Sequence, residues 1–347
     1  MHRKAHIPKP VAALGRMRGR GPLAGGTDGK LACCPERLTV GGTRSVATKG
    51  LGMCAFLCIL LFLFSFSASA QERIWEGTAC RNRSVTLEAF LPEGTPRAAV
   101  IVCPGGSYHW HDYETEGTRV AQWLAGEGMA AYVLRYRVAG KFEFASKYRT
   151  VFRGNRHPDM ICDLQRAIQL VRERYDGPVG VMGFSAGGHL VMSAGEYFDT
   201  PFLARYGIEP TVSLRPDFVA PIYPVVTLSA PPVHKRSRLG LLGEWTVLRQ
   251  EMRDSLSLER HVKAQTPPVF LLNCVDDPIV DYRNSVLLDS ALTAAGVPHL
   301  YTQYPTGGHG FGANPAKQNE YTQNWQSAFL HWLDTVLERS DAGGLGD

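Results

Sequence analysis

From Val85 onward the apolar residues follow two spacings in turn. Val85–Leu91 repeats every second residue, which predicts a half-buried edge strand. Ala98–Cys103 (AAVIVC) and Met129–Leu134 (MAAYVL) are unbroken apolar runs, as expected of strands covered on both faces. Between and after them the spacing lengthens to three or four. Glu116–Gly126 then predicts one helix, and Asp159–Tyr175 another, with Met160, Leu164, Ala167, Ile168 and Val171 on a single stripe. The alternation continues with strand Pro178–Phe184, helix Ala186–Tyr197, strands Asp217–Ile222 and Val269–Cys274, helix Tyr282–Ala295, strand His299–Tyr304 and helix Gln318–Glu338. Such alternation implies an α/β fold, a mostly parallel sheet with helices on both faces.

Two stretches break the rhythm. Val138–His157 is a long polar and aromatic loop carrying Lys141, Lys147, Arg149, Arg153 and Arg156. Ser229–Lys263 is an insertion that contains Pro231-Pro232 and reads as helical over Glu244–Arg260. Loops this long serve as rims or lids of a cleft, or are plain solvated excursions, and the pattern leaves both readings open.

Upstream, Met53–Phe66 (MCAFLCILLFLFSF) is apolar throughout and ends in Ser67-Ala68-Ser69-Ala70. A spanning helix needs about 20 residues, so this run reads as a signal peptide cut before Gln71, with an uncleaved anchor as the alternative. No Cys stands directly after the run, which argues against a lipid-anchored form. Residues 1–52 are basic, Gly/Pro-rich and aperiodic, as in a disordered extension or an over-extended start. The expected organisation is therefore extension 1–52, signal peptide 53–70 and one catalytic domain over 71–347, in a secreted or periplasmic protein.

Charge changes the picture little. The whole chain carries +5, but ten Lys/Arg and only two acids lie in residues 1–52, leaving 27 basic against 30 acidic residues beyond them. The domain so defined lacks the positive footprint of a nucleic-acid binder. With the leader removed, no stable membrane insertion is expected. Cys80, Cys103, Cys162 and Cys274 are widely scattered, with the spacing of neither a metal site nor a disulfide framework, although export permits one or two disulfides.

The chemistry gathers at strand ends. Gly183-Phe184-Ser185-Ala186-Gly187 lies between a buried strand and a helix, the setting of a nucleophile elbow. The turn is sharp enough to strain the serine and to require small neighbours, and the helix N-terminus favours developing negative charge. Pro104-Gly105-Gly106-Ser107 follows AAVIVC, where backbone N–H groups can reach a tetrahedral oxyanion; each such donor lowers a barrier by roughly 3 kcal/mol. Gly106 or Ser107, together with Ala186, are the expected donors. The general base must be a later His, and His189, His234, His261, His299, His309 and His331 are available. His189 lies four residues along the same helix and points away from the serine. His299 and His331 occupy positions common for structural histidines. His309, flanked by glycines in GGHGFG just after the last strand, is the expected base. The acid should follow VFLLNC, at Asp276 or Asp277. Asp277 is preferred because Pro278 holds it extended, leaving Asp276 to brace the loop by an Asx-type bond and Asp281 to cap a helix.

With these residues in place, the chain resembles the α/β-hydrolase superfamily from about Val85 to the C-terminal helix, and within it the single-domain carbohydrate acetyl esterases, acetylxylan-esterase-like in type. The resembling pieces are CPGGSY (103–108), YVLRYR (132–137), HPDMICDLQRAIQLVR (157–172), GFSAGGHL (183–190), PPVFLLNCVDDPIV (267–280) and GGHGFG (307–312), in the family's order. The resemblance implies an α/β-hydrolase fold with an insertion near 229–263. It also implies a Ser185-His309-Asp277 triad that deacetylates short esters on sugars without cofactor or metal. Ser107 and the 138–157 loop depart from the pattern. A serine exopeptidase would need a large preceding domain, for which residues 71–97 leave no room. A general small-ester carboxylesterase stays open, and a non-catalytic glycan-binding protein would need a broken triad.

Overall fold

A computed structural model describes residues 71–141 and 154–343. The expected extension, the signal peptide and most of the 138–157 loop lie outside the described residues. The chain divides into two units after Ser65, and every described residue belongs to the second.

The strands are β1 (Gln71–Arg73), β2 (Thr86–Phe90), β3 (Ala99–Cys103), β4 (Ala130–Arg135), β5 (Val179–Phe184), β6 (Val219–Ile222), β7 (Val269–Cys274) and β8 (His299–Tyr304). They form one sheet in the order β1-β2-β4-β3-β5-β6-β7-β8. β1 and β2 run antiparallel to their neighbours, and all other pairs are parallel. The crossovers place the carboxyl ends of β3, β5, β6, β7 and β8 on one rim, where the loops with the candidate chemistry emerge.

Helices cover both faces, as the unbroken apolar runs require. On one side, Ala99, Ile101 and Cys103 of β3 with Val179 and Val181 of β5 pack in one core with residues of α2 (Asp159–Arg172), α3 (Ala186–Glu196) and α6 (Arg283–Ala294). On the other, Val100, Val102, Met182 and Phe184 pack with residues of α1 (Arg119–Gly126) and α7 (Trp325–Gly343), including Trp325 and Phe329. The alternation along each strand is the pleat expressed as two cores. Among the described residues, no helix is long and apolar enough to cross a membrane.

The structure corrects several expectations. The strand expected at the edge, β2, is not the edge, because β1 pairs outside it. The insertion is helical earlier than expected, over α4 (Lys235–Thr246) and a short α5 (Gln250–Asp254). Gly243, at φ +75°, kinks α4, so the pattern from Glu244 onward does not propagate as one helix. The last helix starts at Trp325 rather than Gln318. The Asn319 side chain accepts the N–H groups of Tyr321 and Thr322, holding that stretch in a turn. Residues Glu114–Thr118 wind as a π-helical turn ahead of α1, where the sequence pattern has the helix begin at Glu116.

One buried ion pair unites two of the quoted motifs. Arg137, just past β4, donates from its guanidinium to Asp163 of α2 at 2.8 Å and to Asp159 at 3.0 Å. Trp75 donates to the same Asp163 carboxylate at 2.6 Å. A fully buried carboxylate is tolerated here because donors surround it.

Candidate active site

β5 ends at Phe184 and α3 begins at Ala186, so Ser185 must reverse the chain in a single residue. It does so at φ +55° and ψ −115°, a conformation that costs a non-glycine residue on the order of 1–3 kcal/mol. Its N–H donates to the Ile222 carbonyl at 3.0 Å, and its own carbonyl accepts from Val225 and His189, both at 3.2 Å. The flanking glycines are obligatory. A Cβ on Gly183 would sit 2.2 Å from the Gly187 carbonyl oxygen, and one on Gly187 would sit 2.1 Å from that of Cys103.

The Pro104–Ser107 segment leaves β3 beside this turn, since a Cβ on Gly105 would lie 2.9 Å from that of Ser185. Gly106, Ser107 and Tyr108 have φ of +132°, +56° and +61° in succession. The Gly106 carbonyl closes the turn by accepting from His109 and Trp110 at 2.9 and 3.1 Å. Ser107, the departure from the family pattern, thus takes a left-handed conformation that glycine would adopt without cost. Among the described residues, the N–H groups of Gly106, Ser107 and Ala186 donate to no protein acceptor.

His309 stands after β8 between Gly308 (φ +63°) and Gly310 (φ +75°). Its Nδ1 lies 2.6 Å from Asp277 Oδ2, and the Asp277 side chain is 1% exposed. Asp277 Oδ1 accepts from the N–H groups of Ile279 and Val280 at 2.8 and 2.9 Å, which fixes the carboxylate's plane. Asp276 faces elsewhere: it accepts from Gly307 and Gly308, at 3.2 and 2.8 Å, and so ties the acid-bearing turn to the imidazole loop. The Asx-type bond expected of Asp276 is made by Asp277 instead. Asp281 accepts the N–H of Arg283, two residues on, at 3.0 Å.

The structure therefore joins Asp277 to His309. Among the described residues Ser185 Oγ has no hydrogen-bond partner, so His309 is not bonded to the serine here. Such contacts commonly tighten only when substrate is bound.

Four of the other candidate histidines are engaged elsewhere. His189 pairs with the Tyr108 hydroxyl at 2.8 Å and the Leu256 carbonyl at 2.9 Å. Burial pushes its pKa down to about 4, which keeps it neutral and structural. His299 bonds Asp289 and the Val297 carbonyl, and His261 the Asp254 carbonyl. His234 pairs with Ser237 at 2.8 Å; burial and the nearby His309 charge hold its pKa at about 4.

The insertion and the described ends of the 138–157 stretch meet at this rim. A Cβ on Gly240 of α4 would lie 2.5 Å from the Ser107 carbonyl oxygen. His157 N–H donates to the Leu241 carbonyl at 2.8 Å. The insertion thus packs on the Gly106–Tyr108 turn, as a cleft rim does. Two residues that sequence reasoning missed complete the site: Glu116, 3% exposed, and Tyr223, 1% exposed just past β6. The Tyr223 ring lies 4.6 Å from that of His309. No local signal marks either one, because their partners are far away in the chain.

Comparison with known proteins fits this geometry. Residues 87–292 match the family model described as BD-FAE. An acetylxylan esterase of Xylanibacter ruminicola is 29% identical over 236 residues, 65% of this chain and 43% of that protein. Endo-1,4-beta-xylanase B of Butyrivibrio fibrisolvens is 30% identical over 286 residues, 78% of this chain and 41% of that protein. The chain thus spans less than half the length of these two relatives. Among solved structures, the acetyl ester-xyloside bifunctional hydrolase of Caldicellulosiruptor lactoaceticus superposes with a TM-score of 0.65 at 30% identity, covering 77% of this chain and 96% of that one. The family match, which takes in β3 through most of α6, and this likeness of fold lead to one assignment: the chain belongs to the BD-FAE family and has the α/β-hydrolase fold.

Proposed function

We propose that this chain is a serine esterase that removes short acyl groups, acetyl foremost, from carbohydrate. The observation that carries the reading is the 2.6 Å bond between Asp277 and His309. A buried carboxylate that fixes one imidazole nitrogen frees the other to act as a base. The strained Ser185, the glycine turn at its side and the acetyl ester hydrolase among the chain's structural relatives support the same reading.

In the proposed reaction, His309 Nε2 takes the Ser185 proton as Oγ attacks the ester carbonyl. Asp277 holds the Nδ1–H tautomer and stabilises the imidazolium. The N–H groups of Ala186 and of Gly106 or Ser107 receive the oxyanion. His309 then protonates the departing sugar oxygen as its bond to the carbonyl carbon breaks and the acyl-enzyme forms. Water gives a proton to the same imidazole and attacks the acyl carbon, and the proton passes to Ser185 Oγ as the carboxylic acid leaves. No cofactor enters this scheme. Ser185→Ala should lower kcat by on the order of 10⁴ to 10⁶ and abolish labelling by a fluorophosphonate, while the melting temperature stays close to wild type. A variant that kept a tenth of the turnover would refute the assignment. Rates on p-nitrophenyl acetate through octanoate, beside acetylated xylan, separate a carbohydrate acetyl esterase from a general carboxylesterase.

The reading includes export, with the leader removed before Gln71 and the domain secreted or periplasmic. The intact mass of the mature protein tests it, and a membrane-held product that retained Met53–Phe66 would favour the anchor.

A further inference from the structure

Glu116 lies in the π-helical turn between β3 and α1, and it connects three loops. One carboxylate oxygen accepts the Gly105 N–H at 2.8 Å, at the base of the turn beside Ser185. The other accepts the Tyr223 hydroxyl at 2.9 Å. That hydroxyl in turn accepts the Gly312 N–H at 3.1 Å, on the far side of the His309 loop. The same loop is held a second time, by Ala313 N–H donating to the Thr115 carbonyl at 3.2 Å. A Cβ on Gly312 would meet that carbonyl oxygen at 2.4 Å, so the two segments are in backbone contact.

Both carboxylate oxygens accept, the pattern of an ionised group. Gly105 offers only a donor. If Glu116 were protonated and donated to Tyr223, the Tyr223 proton would lose its acceptor in a buried site. Burial pushes the Glu116 carboxyl up, while a protonated His309 and the Tyr223 bond pull it back; Asp112 opposes them, and Gly105 helps. Among the described residues, the titratable groups around His309 include Asp277, Tyr223, His234 and Glu116, with Asp276 on the neighbouring Gly307 and Gly308 N–H groups. Asp112 is itself met by Lys317 at 3.4 Å. Asp277 is thus bonded to the imidazole, and Glu116 is bonded to the tyrosine whose ring packs against it.

We infer that Glu116 is a positioning residue for the proposed acyl transfer: it sets the Gly105 turn and the His309 loop in register and lends the imidazolium a second negative charge. This rests on the serine esterase reading.

The test compares Glu116→Gln, Glu116→Asp and Tyr223→Phe with Ser185→Ala, using p-nitrophenyl acetate across pH 5 to 9. Glu116→Gln should lower kcat about tenfold to a hundredfold with little change in KM. The acid limb of its profile should move down by about one pH unit, because the imidazolium loses a stabilising charge. Glu116→Asp keeps the charge and should lower kcat while leaving the limb in place. Tyr223→Phe cuts the link to Gly312 and should do the same. A Glu116→Gln profile with its acid limb at the wild-type position overturns the proposal, whatever the loss in kcat. Should Glu116→Gln fail to fold, the other two variants decide: wild-type kcat in both overturns it, and lowered kcat with an unmoved limb supports it. If Ser185→Ala stays active, the esterase reading itself fails. If only that variant is inactive, the Glu116 inference alone falls.

Discussion

Two adjacent aspartates show how much one residue step matters. Asp277 is held by the N–H groups of Ile279 and Val280 and aimed at His309, whereas Asp276 accepts from the Gly307 and Gly308 backbone. Asp277→Asn should therefore cost about 10⁴ in kcat, as the same change does in another triad. Asp276→Asn should cost far less, acting only through the loop; turnover on p-nitrophenyl acetate gives the order. Glu196, at the end of α3, is a contrasting carboxyl. Both its oxygens are buried and have no hydrogen-bond partner among the described residues, and burial, with Glu259 adding to it and Lys263 opposing, pushes its pKa well above 4.5. The folded state then holds a proton that the unfolded chain has released, so stability falls as pH rises through the folded value. Glu196→Gln should flatten that slope and raise the melting temperature most on the alkaline side. Equal gains at pH 5 and pH 9 would contradict it.

Among the elements, the β5–Ser185–α3 unit leaves the least room. Gly187→Ala would place a methyl 2.1 Å from the Cys103 carbonyl oxygen, pushing α3 off β3. A loss of several kcal/mol, or no soluble protein, is expected. Gly126, at the end of α1, has open space and an ordinary φ. Gly126→Ala should be neutral or stabilise by up to about 1 kcal/mol, and a pair of thermal melts compares the two. This contrast also explains what the sequence could reveal. Spacing and glycine punctuation are local, so the strands, the strand-to-helix turn at Ser185 and the loop positions of His309 and Asp277 were legible. Three-residue β1 was too short to leave a period, and α4 is broken at Gly243, so its stretch carries no single helical stripe. The bonds from Glu116 to Gly105 and Tyr223, and from Arg137 to Asp163, join residues 11 to 107 apart and leave no trace in any window of sequence.

At the scale of the molecule, the carboxyl rim collects chemistry from five strands while two cores hold the sheet from either side. The cysteines belong to this architecture. Cys80, Cys103, Cys162 and Cys274 are all buried and all free, so the disulfides that export would permit are not formed among them. Burial also pushes the Cys162 thiol up to about 11 and that of Cys274 up to about 12, far from the reactive thiolate. Dithiothreitol should therefore leave the melting temperature unchanged. More usefully, the four thiols form a clock. A reagent such as dithionitrobenzoate can reach Cys103, in the middle of the sheet, only when the sheet opens, whereas Cys80 lies close to the outermost strands. Site-resolved labelling rates would then time how often the edge frays and how often the whole fold lets go, with no residue substituted to carry a label. Cys80 should react first and Cys103 at the rate of global unfolding; equal rates at both would mean that the sheet opens as a single unit.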